Sequence, residues 1–176
     1  MSCDHPTPMN RSRRDALRTI ALGGGATLLT TLPLVARASG HVDWLLLTCM
    51  DYRLLGDVAA YMDGRGLRKG YDQVILAGAS LGALTDKRPA WGRTFFEHLE
   101  VAIQLHKVKK VMVIDHKDCG AYRTFLGEEA VSTPEKELKA HEHYLRKLRA
   151  AIKQRHSDLE VELGLMSLDG KVQTIT

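Results

Sequence analysis

Apolar positions along the chain fall in short blocks that alternate between two periods. Val42 to Thr48 is a nearly unbroken apolar run and reads as a buried strand. Leu54 to Asp63 carries helical spacing and runs into Gly64 and Gly66, which favour a helix stop. Asp72 to Ala77 reads as a second strand, followed by the small-residue loop Gly78-Ala79-Ser80. Trp91 to His106 is amphipathic, with Phe95, Leu99, Ile103 and Leu105 near one face. Lys110 to Ile114 is rich in β-branched residues and predicts a third strand. Beyond Pro134 a charged helix extends to about His156 on an apolar stripe of Leu138, Leu145, Leu148 and Ile152. Glu160 to Leu168 predicts a fourth strand, and the Asp169-Gly170 turn leads into Val172 to Ile175 as a hairpin. The acidic, turn-rich piece from Gly127 to Pro134 is expected to be a mobile loop. This alternation predicts an α/β fold, with a mostly parallel central sheet, helices on both faces and a C-terminal antiparallel edge strand.

The first forty residues follow a different pattern. Arg13-Arg14, Leu17 and Arg18 precede an uncharged stretch from Ile20 to Val35, which closes with Ala36-Arg37-Ala38. That is the layout of a secretory signal, and the arginine pair is of the twin-arginine type. Three consecutive glycines, Gly23 to Gly25, make the stretch a poor spanning helix. Residues 1–38 are therefore expected to be a cleaved signal. Residues 39–176 would form one domain, exported to the periplasm or an equivalent compartment with no stable membrane span. At 44% hydrophobic and 26% charged residues, the chain has the material for one globular core and is not disordered by composition. The net charge of +4 is uneven: the first 38 residues hold five arginines against two acids. Without them 20 basic residues face 19 acidic ones, so no electrostatic footprint for nucleic acid remains.

Two polar clusters fall at predicted strand ends, where ligands bind in such folds. Cys49-Met50-Asp51-Tyr52-Arg53 follows the first strand, and His116-Lys117-Asp118-Cys119-Gly120 follows the third. Cys3 lies in the signal, so the remaining cysteines are Cys49 and Cys119, one in each cluster. Two thiolates and an imidazole form a zinc set with a fourth place open, and the softness of sulfur favours zinc over magnesium or calcium. A single disulfide between the two cysteines is the alternative in an oxidising compartment. Asp51 and Arg53 lie two apart, so an extended segment turns both to one side. Arg53 would keep Asp51 ionised and oriented, although an ordinary surface ion pair would have the same spacing.

Cys49-x-Asp51-x-Arg53 followed by His116-x-x-Cys119-Gly120-Ala121 resembles the β-class carbonic anhydrases. The resemblance extends through Phe96 to Ile114, Gly66 to Gly78 and the closing hairpin from Leu165 to Thr176. It implies zinc held by Cys49, His116 and Cys119, with Asp51 and Arg53 as a catalytic dyad. Asp51 would ligate zinc in a closed form and turn to Arg53 in the active one. The implied reaction is reversible hydration of carbon dioxide to bicarbonate, with zinc supplying hydroxide from its bound water, and the family's habit of pairing implies a homodimer. His141 and His143 are candidate proton carriers, their plainer role being that of solvated helix histidines. The family's Arg-Asn-Ala-Gly-Asn stretch reads here Ile75-Leu76-Ala77-Gly78-Ala79, and Tyr52 stands where a small hydroxyl residue is common. A more apolar pocket would favour carbonyl sulfide or carbon disulfide as substrate. A non-catalytic zinc-binding relative is the reading from another class.

Overall fold

The computed structural model describes residues 40–176. The expected signal, with Arg13-Arg14 and the Ile20 to Val35 stretch, lies outside the described residues. Among those described, five strands form one sheet in the order β2-β1-β3-β4-β5: β1 (Trp44–Thr48), β2 (Tyr71–Ile75), β3 (Lys110–His116), β4 (Glu160–Met166) and β5 (Val172–Thr174). The first four pair in parallel, and β5 runs antiparallel to β4 at the edge, as the alternation predicts. Helices α1 (Leu55–Gly64), α2 (Pro89–His106), α3 (Gly120–Leu126) and α4 (Pro134–Arg155) complete the fold. Among the described residues no helix is long and apolar enough to cross a membrane.

Side chains alternate across the sheet with period two and so feed two cores. Leu45 and Leu47 of β1 and Val111 and Val113 of β3 pack with Phe95 and Leu99 of α2 and with Leu145, Leu148 and Ile152 of α4. Trp44, Leu46, Met112 and Ile114 point the other way, onto Val58 and Met62 of α1. Pro89 opens α2, where its missing N–H costs nothing, and Thr133 caps α4 by accepting from the Lys136 N–H.

Two expectations need correction, at Leu105 and at the end of β3. Leu105 stays 53% exposed, because Phe95, Leu99 and Ala102 already set the buried face of α2 and Leu105 falls beside it. The segment expected to be a loop, Gly127 to Pro134, carries a short 3₁₀ turn, Glu128–Val131, with no buried residue. It follows α3, a helix too short for periodicity to reveal. Strand β3 runs two residues beyond the expected Ile114, since Asp115 and His116 pair in register with Leu165 and Met166 of β4. A strand that ends in two buried polar residues does not show as an apolar run.

Between β2 and α2 the chain coils through successive turns that fix residues 77–84 against the sheet end. Leu81 N–H donates to the Gly78 carbonyl and Ala83 N–H to the Ala79 carbonyl. Gly82 allows this winding, because a Cβ there would lie 2.4 Å from the Ala77 carbonyl oxygen. Since the obstacle is backbone, Gly82→Ala should cost about 1–3 kcal/mol in urea unfolding, the range for overpacking a close contact. A variant as stable as the parent would show that the turns are looser than described.

Candidate metal centre

The centre is built by two parallel neighbours that end together. Thr48 of β1 lies in register with Ile114 of β3, so the residues just beyond each strand meet at one edge. Cys49 follows β1, His116 is the last residue of β3, and Cys119 precedes the first turn of α3. One ligand atom from each of these residues lies within 4.8 Å of the other two. The Cys49 and Cys119 sulfurs are 3.9 Å apart and both thiols are free. Two sulfurs bound at about 2.3 Å to one tetrahedral zinc sit about 3.8 Å apart, so the observed spacing suits a shared ion.

The imidazole is prepared in the same sense. Nδ1 of His116 is bonded to the Lys117 carbonyl at 2.9 Å, which leaves Nε2 as the free acceptor. Nε2 is buried and has no hydrogen-bond partner. A buried nitrogen without a partner, close to two thiols, could be satisfied by a cation or a proton.

Charge in the cluster is shared unequally. The Cys49 thiol is pushed down to about 4 by the hydrogen bond from Cys119, which outweighs its burial; His116 and the Gly78 N–H at 3.2 Å help. Cys119 moves the other way, because it donates that bond and lies buried beside the Cys49 charge. Burial opposes the His116 imidazolium, yet the adjacent Cys49 thiolate raises its pKa on balance. The cluster thus holds a thiolate that calls for positive charge, the electrostatic condition for metal binding.

Asp51 and Arg53 stand beside the cluster. Asp51 caps the 3₁₀ turn Tyr52–Leu54 by accepting from the Arg53 N–H. Arg53 clamps the carboxylate through Nε at 3.0 Å and Nη2 at 2.8 Å and holds its pKa at about 2. The Asp51 carboxylate is therefore turned to Arg53 and stands apart from the Cys49, His116, Cys119 group, while its Oδ2 remains 3.8 Å from His116 Nε2. Over the cluster opens a cleft of about 480 Å³, walled by Met50, Tyr52, Ala77, Ala121, Thr124 and Phe125.

Several participants escaped the sequence reading. Gly78 donates to Cys49, although the Ile75 to Ala79 stretch was singled out only for its composition. Asp118 bonds Arg53 from the opposite side, at 2.8 Å to Nη1. Beneath the site the Asp115 carboxyl accepts from the Ser80 N–H and hydroxyl, from Tyr122 and from His141. His141 is fully buried, so it is neither a solvated helix histidine nor a carrier open to water; His143 is exposed as expected. The spacing Leu138, His141, Leu145, Leu148, Ile152 is an unbroken series of threes and fours, which was the signal available for placing His141 inside.

With this geometry in hand, comparison with known proteins defines the class. Residues 41–175 match the family model described as "Putative carbonic anhydrase", and the chain belongs to that family. An uncharacterized protein of Rickettsia conorii is 40% identical over 131 residues, covering 74% of this chain and 70% of that one. One from Rickettsia bellii is also 40% identical over 131 residues, covering 74% and 80%. The fold is that of solved β-carbonic anhydrases. The Coccomyxa enzyme in complex with acetazolamide superposes with a TM-score of 0.53 at 16% identity, over 92% of this chain and 84% of that one. CafA of Aspergillus fumigatus gives 0.52 at 16% identity, over 92% and 80%.

The unequal thiols make a direct prediction for metal-free protein. An ordinary thiol gains nucleophilicity as pH rises toward about 8.5. Cys49, deprotonated above pH about 4, should react with iodoacetamide at a rate already level by mildly acidic pH. Cys119 should stay unmodified in the same peptide maps. A Cys49 rate that still climbs through neutral pH would overturn this charge distribution.

Proposed function

We propose that the protein is a zinc-dependent hydratase that interconverts carbon dioxide and bicarbonate. The observation that carries this reading is the convergence of two thiols and one free imidazole nitrogen within 4.8 Å, beside a carboxylate–guanidinium pair and under an open cleft. Cys49, His116 and Cys119 would hold the ion, leaving one position toward the cleft. Zinc held there would lower the pKa of a coordinated water toward about 7 and so would supply hydroxide at neutral pH.

The chain's own groups do the rest. Asp51, ionised throughout the neutral range, offers acceptors and no proton, so it orients an incoming O–H by its hydrogen. Arg53 fixes that carboxylate in place. The walls of Met50, Ala77, Ala121 and Phe125 suit a small linear molecule that carries no charge and no donor. They offer little to a bicarbonate anion, which favours release of the product over its retention. The released proton leaves through the cleft mouth, where Met50 and Tyr52 are 63% and 82% exposed.

The same walls support a second reading, hydrolysis of carbonyl sulfide or carbon disulfide, which are also linear and more apolar. Zinc content and stopped-flow hydration on one sample of the purified chain separate the cases. About one zinc per chain, with hydration reduced 10- to 100-fold in Asp51→Ala and Arg53→Ala, is the expected result. A zinc-loaded protein that turns over only the sulfur compounds would move the assignment to the second reading. One that turns over neither would be a non-catalytic relative.

We further propose that residues 1–38 direct export by the twin-arginine route and are then removed. This rests on Arg13-Arg14 ahead of the Ile20 to Val35 stretch and on Ala36-Arg37-Ala38. Replacing both arginines with lysine should leave the uncleaved chain in the cytoplasmic fraction; unaltered export and cleavage would refute the route.

A further inference from the structure

Arg53 faces two carboxylates at once. Its Nε and Nη2 hold Asp51, while Nη1 donates to Asp118 Oδ2 at 2.8 Å and Nη2 to the Asp118 carbonyl at 3.0 Å. The two acids come from different strand ends, so the guanidinium bridges the segment after β1 to the segment after β3. Asp118 lies between His116 and Cys119 and has a φ of +55°, in the left-handed region that Asp, Asn and Gly tolerate best. It is itself tied down on two further sides. Arg123 Nη2 donates to its Oδ1 at 3.1 Å, and its own N–H donates to Glu137 of α4 at 2.6 Å.

What this bridge controls follows from the position of Asp51. The Oδ2 that accepts from Arg53 at 2.8 Å is also 3.8 Å from His116 Nε2, the buried nitrogen of the ligand cluster. One carboxylate oxygen thus has two destinations within a small side-chain rotation: the guanidinium or the metal position. Arg53 is a third exposed, and with Asp51 as its sole partner it would be free to follow that carboxylate wherever it turned. A second anchor removes that freedom.

We infer that Asp118 is a positioning residue that pins Arg53 between the two ligand-bearing segments and thereby holds Asp51 off the metal position. The inference rests on the ligand assignment made under Proposed function. Asp118 touches none of the three ligand atoms, and its effect passes entirely through Arg53 and Asp51. It predicts that loss of the Asp118 side chain matters only while Asp51 is present, since the competing ligand is Asp51 itself.

The test uses the full chain loaded with cobalt(II) and titrated with azide, followed by the visible bands of the metal. Wild-type protein should bind azide at the position Asp51 leaves open. Asp118→Gly, which keeps the left-handed backbone, should weaken azide binding about tenfold, the lower end for loss of a supporting contact. In an Asp51→Ala background the same substitution should change azide affinity by less than about twofold, as expected when the coupling runs through the deleted group. Should Asp118→Gly fail to fold, Asp118→Asn should show a smaller loss in the same direction, again only with Asp51 present. Equal loss in both backgrounds would mean that Asp118 merely supports the fold and would overturn the inference. So would an unchanged affinity in Asp118→Gly, or a wild-type cobalt protein that ignores azide. Failure of the wild-type chain to take up cobalt at all would instead remove the metal assignment on which the inference stands.

Discussion

A carboxyl group buried under the end of a sheet needs several donors, and Asp115 collects four: the Ser80 N–H, the Ser80 hydroxyl, the Tyr122 hydroxyl and the His141 ring. All four residues are buried, Asp115 at 1% exposure. The three residues that supply these donors come from different parts of the chain. Ser80 belongs to the turns whose Gly78 N–H bonds Cys49; Tyr122 lies one turn after Cys119; His141 comes from α4. Asp115 itself precedes His116. One hydrogen-bonded hub therefore fastens the segments that carry the cluster's sulfurs and its imidazole. Removal of one partner would leave the others buried and unsatisfied, which is why such a hub specifies one arrangement over its neighbours.

With those segments fixed, the electrostatics of the site follow. Two thiols held 3.9 Å apart cannot both ionise without a compensating cation, so the metal-free cluster settles for one thiolate, at Cys49. Cys119 and His116 are both shifted toward their protonated forms by that charge. A divalent ion, if bound as proposed, would do the same work as those protons and displace them, which would couple its affinity to pH in the direction expected of thiolate and imidazole ligands.

The legible parts of the structure were those that repeat or punctuate. A nearly unbroken apolar run placed β1, and the Leu145, Leu148, Ile152 stripe placed α4. The Asp169-Gly170 turn announced the edge hairpin. At the site, Cys49, Asp51, Arg53, His116 and Cys119 could be named because their types and short spacings carry chemistry by themselves. Asp115, Ser80, Tyr122 and His141 could not, since each is ordinary in its local context. Their meaning depends on sequence separations of 7 to 35 residues closed by the fold. Asp118 stood in plain view inside the motif, but its partner Arg53 is 65 residues away. The exposure of Leu105 went unread for the opposite reason, as local spacing was followed where the neighbouring residues of the helix face decided.

Asp115 and Asp118 show how one residue type, on either side of the same ligand, takes two tasks by environment alone. Asp115 points into the core of α2 and α4 along the face of Val111 and Val113, where no water competes for its donors. Its bonds are numerous, mutually dependent and poorly suited to change. Asp118 has left the strand, turned through a left-handed residue and kept 46% of its side chain exposed. Its bonds to Arg53 and Arg123 are screened by solvent and individually weak, so they can be made and broken at modest cost. A centre that, as proposed, keeps three ligands rigid while one carboxylate turns between two partners would use both kinds of acid. The chain places them three residues apart, with His116 between them.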